Sequence, residues 1–245
     1  MLLLSRAREC DPGRQRNWIM ASAFACGVRI WATHFITMLA YDGGFAITYG
    51  IALTALSVVL AIGVSWLAIL VSAEGTSNYS FVTGGILMTL GIGSMHLTGM
   101  RAIEARVDIV YDLSATLIAL LISATLASIA FLSFKRLKGT KRLLVSAIAM
   151  VLAIAAMHFI SMRSITLIPE PGRSLTATVP EPKALAAIIM TVSTALILVA
   201  LGAVFLESHL TDLRGLANAS MEGLVVLRKG RITDANERFQ QMSRV

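Results

Sequence analysis

Met95-His96-Leu97-Thr98-Gly99-Met100 is the middle member of three like stretches in this chain. The others are Thr33-His34-Phe35-Ile36-Thr37-Met38 and Met157-His158-Phe159-Ile160-Ser161-Met162, and successive histidines are 62 residues apart both times. The register extends outward, pairing Met88 with Met150, Arg101 with Arg163 and Ile103 with Ile165. Self-similarity at a fixed period marks a repeat architecture, which is read before any fold is assigned.

The composition says where those repeats reside. Of 245 residues, 56% are hydrophobic and only 14% charged, with a mean hydropathy of +0.77. Soluble domains carry about 25% charge, so the chain is a polytopic membrane protein. A span needs about 20 mostly apolar residues. Six segments qualify: Trp18–Ala40, Phe45–Ser72, Ser80–Ile103, Ser114–Phe134, Arg142–Ile168 and Ala184–Leu206. Each repeat then holds two spans, so the fold expected is all-α, with six transmembrane helices in three parallel two-helix repeats.

The net charge of +7 would suit nucleic acid were it not for its placement. Arg6, Arg8, Arg14 and Arg16 precede the first span, and Lys135, Arg136, Lys138, Lys141 and Arg142 lie between the fourth and fifth. Basic residues in short flanking segments report topology. They put both termini in the cytoplasm, with the lipid bilayer as partner and no nucleic acid. Cys10 and Cys26 form no CxxC motif, and the opening MLLLSRAREC is too short an apolar run for a cleavable signal peptide.

Parallel repeats place His34, His96 and His158 at one depth, in the outer leaflet. On a helix, residues four apart share a face, so His34 stacks with Met38, His96 with Met100 and His158 with Met162. Met95 and Met157 precede their histidines by one position, about 100° round the helix. A lone intramembrane histidine is commonly an interhelical hydrogen-bond donor, and methionine fills apolar gaps. Three copies in register do not follow from random packing needs. Imidazole with thioether is a soft, neutral ligand set that suits copper, above all Cu(I). Haem also accepts both as axial ligands, and zinc uses the imidazoles but not the thioethers.

Met95-His96-Leu97-Thr98 and Met157-His158-Phe159-Ile160, with Gly91-Ile92-Gly93-Ser94 and Ile30-Trp31-Ala32-Thr33-His34-Phe35 leading in, resemble the motif that names the MHYT domain. That bacterial integral-membrane sensor domain commonly precedes PAS, diguanylate cyclase and phosphodiesterase domains. The resemblance covers residues 1 to about 206 and implies an inner-membrane sensor that binds copper and responds to O2, CO or NO. Carried over, the metal ligands are His34, His96, His158, Met38, Met95, Met100, Met157 and Met162. The full-length protein is expected to be a homodimer. Thr33 stands where the motif has Met, and Phe35, Leu97 and Phe159 stand where it has Tyr. The family has a span ahead of the first histidine helix, where this chain has only Met1–Ala7. Arg29, near the middle of the first span, either snorkels toward the cytoplasmic side or opposes a cation at His34, and the second is the expectation.

Beyond residue 206 the chain turns polar. Residues 207–215 read as a helical linker. Residues 216–245 read as a helix, two strands about Lys229-Gly230 and a helix opening near Asp234, which resembles the start of a PAS domain. Thirty residues rarely hold a core alone, so the tail is a fragment, and no enzymatic activity is expected of this chain. Two other functions compete. An intramembrane zinc-dependent hydrolase would use the three histidines with a carboxylate from Asp42, Glu104, Asp108 or Asp112. A transporter would need polar residues through the whole depth, where Arg29 stands alone.

Overall fold

The computed structural model describes residues 12–41, 47–105, 107–169, 182–219, 222–228, 231–235 and 237–243. Asp42, Arg106, Asn236 and most of the proline-rich 169–183 loop lie outside them. The chain divides into two units, Met1–Leu196 and Ile197–Val245.

In the first unit, α1 (Pro12–Leu39), α2 (Ile51–Glu74), α3 (Asn78–Arg101), α4 (Leu113–Arg136) and α5 (Gly139–Arg163) succeed one another. With α6 (Pro182–Ala219), which begins in this unit, they supply six helices long and apolar enough to cross a membrane. The chain is a multi-pass membrane protein built as its repeats require. From α1 to α5 each helix packs on the next in sequence, and α3 also packs on both α1 and α5. The three histidine helices thus share one interior.

Small residues make up most of the buried faces of α2 and α4, beside Ile69, Phe131 and Phe134. On α2 they include Thr54, Ser57, Ala61, Ser65, Ala68 and Ser72, and on α4 Ala119, Ser123, Ala127 and Ala130. Lipid is as apolar as leucine, so membrane helices associate by close backbone approach and interhelical hydrogen bonds rather than by hydrophobic burial. Gly27 shows the first effect, since a Cβ there would lie 2.6 Å from the backbone of Ile62. The indole of Trp31 shows the second, donating to Ser57 Oγ at 3.1 Å. In the next repeat Thr89 and Ser123, also buried, approach to 3.4 Å.

The sequence reading did not anticipate the strand pairs at the histidine end of the bundle. β1 (Thr48–Tyr49) pairs antiparallel with β2 (Ile103–Glu104), and β3 (Val107–Tyr111) with β4 (Ile165–Pro169). Their registers obey the repeat. Thr48 faces Glu104 and Tyr49 faces Ile103; 62 residues on, Val110 faces Thr166 and Tyr111 faces Ile165. The amide that enters α2, Gly50 N, donates to Ala102 O at 2.7 Å, and Asp112 N, entering α4, donates to Ser164 O at 3.0 Å. The same clasp occurs twice.

These strands correct two span boundaries. The Arg142–Ile168 segment ends as a helix at Arg163, because Ile165-Thr166-Leu167-Ile168 is largely β-branched, ends at Pro169 and finds a partner in β3. The Phe45–Ser72 segment begins as a helix only at Ile51, after β1. At the other end of the bundle, Lys135 at the close of α4 donates to Thr76 O at 2.6 Å and Asn78 Oδ1 at 2.9 Å. That ties the α2–α3 turn to the basic segment.

In the second unit, β5 (Val225–Arg228) pairs antiparallel with β6 (Arg231–Ala235), and α7 (Glu237–Ser243) follows. Gly223 lies against Phe239, where a Cβ would come within 3.2 Å of the ring.

Candidate metal centre

His34, His96 and His158 each stand five residues before the last residue of their helices, Leu39, Arg101 and Arg163. Equal position on packed helices brings the three rings together. Centroids are 4.9 Å apart for His34–His96, 5.3 Å for His34–His158 and 5.4 Å for His96–His158, all edge to face. Their exposures are 2%, 1% and 7%, so water does not solvate them.

His34 is the hub. Its Nδ1 lies 3.2 Å from Nδ1 of His96 and 3.2 Å from Nδ1 of His158. One ring nitrogen of a neutral imidazole carries either a lone pair or a proton. A proton therefore serves one of these contacts well, whereas a cation among the rings serves both. Metal–imidazole bonds of about 2.0–2.1 Å set two nitrogens of one shell roughly 3.3–3.5 Å apart. One nitrogen from each ring can be chosen so that all lie within 4.8 Å of one another. The donor set therefore fits a small cation.

The other edges of the rings are starved of partners. Nε2 of His34 and Nε2 of His96 are buried and make no hydrogen bond among the described residues. Gly99 makes room for the first: a Cβ at that position would stand 2.5 Å from His34 Nε2. Sequence reading passed Gly99 over. Its signal was the contrast with Thr37 and Ser161, which occupy the same place in the other copies.

The methionines fall at different levels. Met95 lines a narrow void together with the three histidines, Ile30, Ile92 and Ile154. Met38 and Met100 line the next void along, toward the strands, with Tyr41, Ile103 and Ile165. Met157 is buried and Met162 half-buried in the same core. Arg29 is exposed while His34, five residues later, is buried. The two therefore point to different sides of α1.

Of the four carboxylates a hydrolase would draw on, the three among the described residues stand elsewhere. Asp112 caps α4, accepting from Ser114 N at 2.8 Å, Ser114 Oγ at 2.6 Å and Ala115 N at 3.4 Å. The Ser114 hydroxyl, then the backbone N–H groups, hold its carboxyl below the usual range. Asp108 accepts from Ile109 N. Glu104 stands in β2, beside Gly50. None of these three lines the histidine void.

Comparison with known proteins agrees with the repeat. The family model described as MHYT, bacterial signalling protein N terminal repeat, matches residues 27–85 and 90–147. An uncharacterized signaling protein of Caulobacter vibrioides is 30% identical over 97% of this chain and 30% of its own length. Two Pseudomonas aeruginosa proteins are also similar. The bifunctional diguanylate cyclase/cyclic di-GMP phosphodiesterase MucR is 33% identical over 60% of the chain and 22% of its own length. The cyclic di-GMP phosphodiesterase NbdA is 31% identical over 65% of the chain and 21% of its own length. The chain thus spans less than a third of the curated relatives it matches. No solved structure matches it. With the repeat, its histidines and these relatives in hand, residues 27–147 belong to the MHYT family of bacterial signalling repeats.

Proposed function

We propose that this chain is the membrane input module of a bacterial signalling protein and that it binds copper through His34, His96 and His158. The observation that carries the reading is the pair of 3.2 Å Nδ1 contacts made by one buried histidine with two others. Met95 is the thioether placed with them. Met38, Met100, Met157 and Met162 are further candidates in the surrounding core. Neutral imidazole and thioether select a soft cation over magnesium or calcium. Bound copper supplies a soft centre able to take a small neutral ligand, and O2, CO or NO is the class proposed.

The output belongs to the rest of the protein. Two relatives are named for making or degrading cyclic di-GMP, and an input module of this kind serves such an enzyme. The route runs through α6 and the 207–215 linker into residues 216–245, which we read as the opening of a PAS domain in a homodimeric inner-membrane protein with cytoplasmic termini. The basic segments and the polar tail support that orientation. A zinc hydrolase is disfavoured by the absence of any carboxylate among the described residues lining the histidine void.

Anaerobic titration of the detergent-purified protein with Cu(I), against a chromophoric chelator, tests the reading. It requires saturable binding with nitrogen scattering in the copper absorption edge. Copper held by the chelator throughout would refute it.

A further inference from the structure

We propose that Ser161 is a positioning residue for His96: its hydroxyl accepts the N–H of His96 Nε2, leaving Nδ1 bare toward the centre of the histidine cluster.

In the second copy, the position three residues after the histidine lies against the histidine of the preceding copy. Gly99 demonstrates this directly, its missing Cβ standing 2.5 Å from His34 Nε2. Moving along the chain by one repeat converts Gly99 into Ser161 and His34 into His96. That operator holds for the backbone: the strand registers obey it, and α3 packs on α5 as α1 packs on α3.

Two orphans mark the place. His96 Nε2 and Ser161 Oγ are both buried, and neither has a hydrogen-bond partner among the described residues. A helical serine in a membrane ordinarily returns its hydroxyl to a carbonyl one turn back. Ser22 does so to Trp18 O and Ser72 to Ala68 O. Ser161 does not, and it is not bonded to His96 in this structure either, so its hydroxyl is uncommitted. Buried polar atoms are seldom left unpaired, and pairing these two satisfies both.

The consequence is a choice of tautomer. An imidazole that donates from Nε2 presents a lone pair at Nδ1, the atom His96 turns toward His34. A partner on the far nitrogen is how metal-binding histidines are commonly oriented, and its loss typically costs about 10–100-fold in metal affinity. That consequence rests on the copper reading above; the tautomer itself does not.

The test is nitrogen NMR of histidine-labelled, metal-free protein in detergent, with the His96 signals assigned by their loss in His96→Ala. The parent should carry the proton of His96 on Nε2. Ser161→Ala should release it to a mixture or to Nδ1, and Ser161→Thr, which keeps a hydroxyl at the position, should restore it. Cu(I) affinity should fall about 10–100-fold in Ser161→Ala and recover in Ser161→Thr. An unchanged His96 tautomer in Ser161→Ala overturns the inference, as does equal disturbance by Ala and Thr in folded protein. If the parent takes up no copper, the metal reading fails by itself and the tautomer comparison still decides the role of Ser161.

Discussion

Nδ1 of His34 lies 3.2 Å from Nδ1 of His96, and the two residues are 62 positions apart, one repeat length. Equivalent atoms of successive repeats therefore meet in the buried interior, and a property of the sequence becomes a property of the site. His158 joins from the third copy at the same distance from His34. The centre is an intersection of repeats, so it is sensitive to whatever sets their spacing.

Gly99 sets part of that spacing. Gly99→Ala would place a methyl group 2.5 Å from His34 Nε2. Overpacking of this kind costs about 1–3 kcal/mol, and the ring must shift to relieve it. Thermal melts in detergent should show the loss. Gly63→Ala on α2, with nothing within 4 Å of its new Cβ, should instead be neutral or stabilising by up to about 1 kcal/mol.

The methionines should separate by level. Met95 shares a void with the histidines, whereas Met38 lines the next one. Met95→Leu should weaken Cu(I) binding in competition titrations more than Met38→Leu does. Both swaps conserve volume, so neither should cost more than about 1.5 kcal/mol in stability.

Asp112 predicts a pH dependence outside the membrane. Its carboxyl is held below the ordinary value of 3.8, chiefly by Ser114 and also by the α4 amides. A depressed acid contributes stability above its unfolded pKa and loses it as pH falls through the folded one. Asp112→Asn should therefore melt below the parent at neutral pH. The gap between them should shrink once the pH drops below 3.8.

Tyr49 predicts the opposite sense. Burial pushes its phenol up to about 12, and its hydroxyl has no partner among the described residues. Tyr49→Phe should leave stability unchanged or raise it by as much as about 1–3 kcal/mol, the cost of a buried unpaired hydroxyl. Because the folded state keeps the phenol neutral, the parent should lose stability above pH 10 where the variant does not.

The membrane helices and the convergence of His34, His96 and His158 were legible because both follow from periodicity: apolar runs of span length and a histidine every 62 residues. The strand pairs were not. Ile165–Pro169 is as apolar as a helix end, and only its partner Val107–Tyr111, distant in sequence, decides that it is a strand. The side that Arg29 faces was not legible for a related reason. Depth could be counted along α1, but the side it faces depends on where the neighbouring helices pack. Gly99 escaped notice because a residue without a side chain acts through the space it leaves to His34.

The central claim is that the three histidines form one copper centre. Metal analysis of the copper-loaded, detergent-purified protein beside a His96→Ala/His158→Ala double variant tests it most directly, with circular dichroism to establish that both are folded. The account predicts stoichiometric copper in the parent and none in the folded variant. No copper in the parent, or equal copper in both, would contradict it.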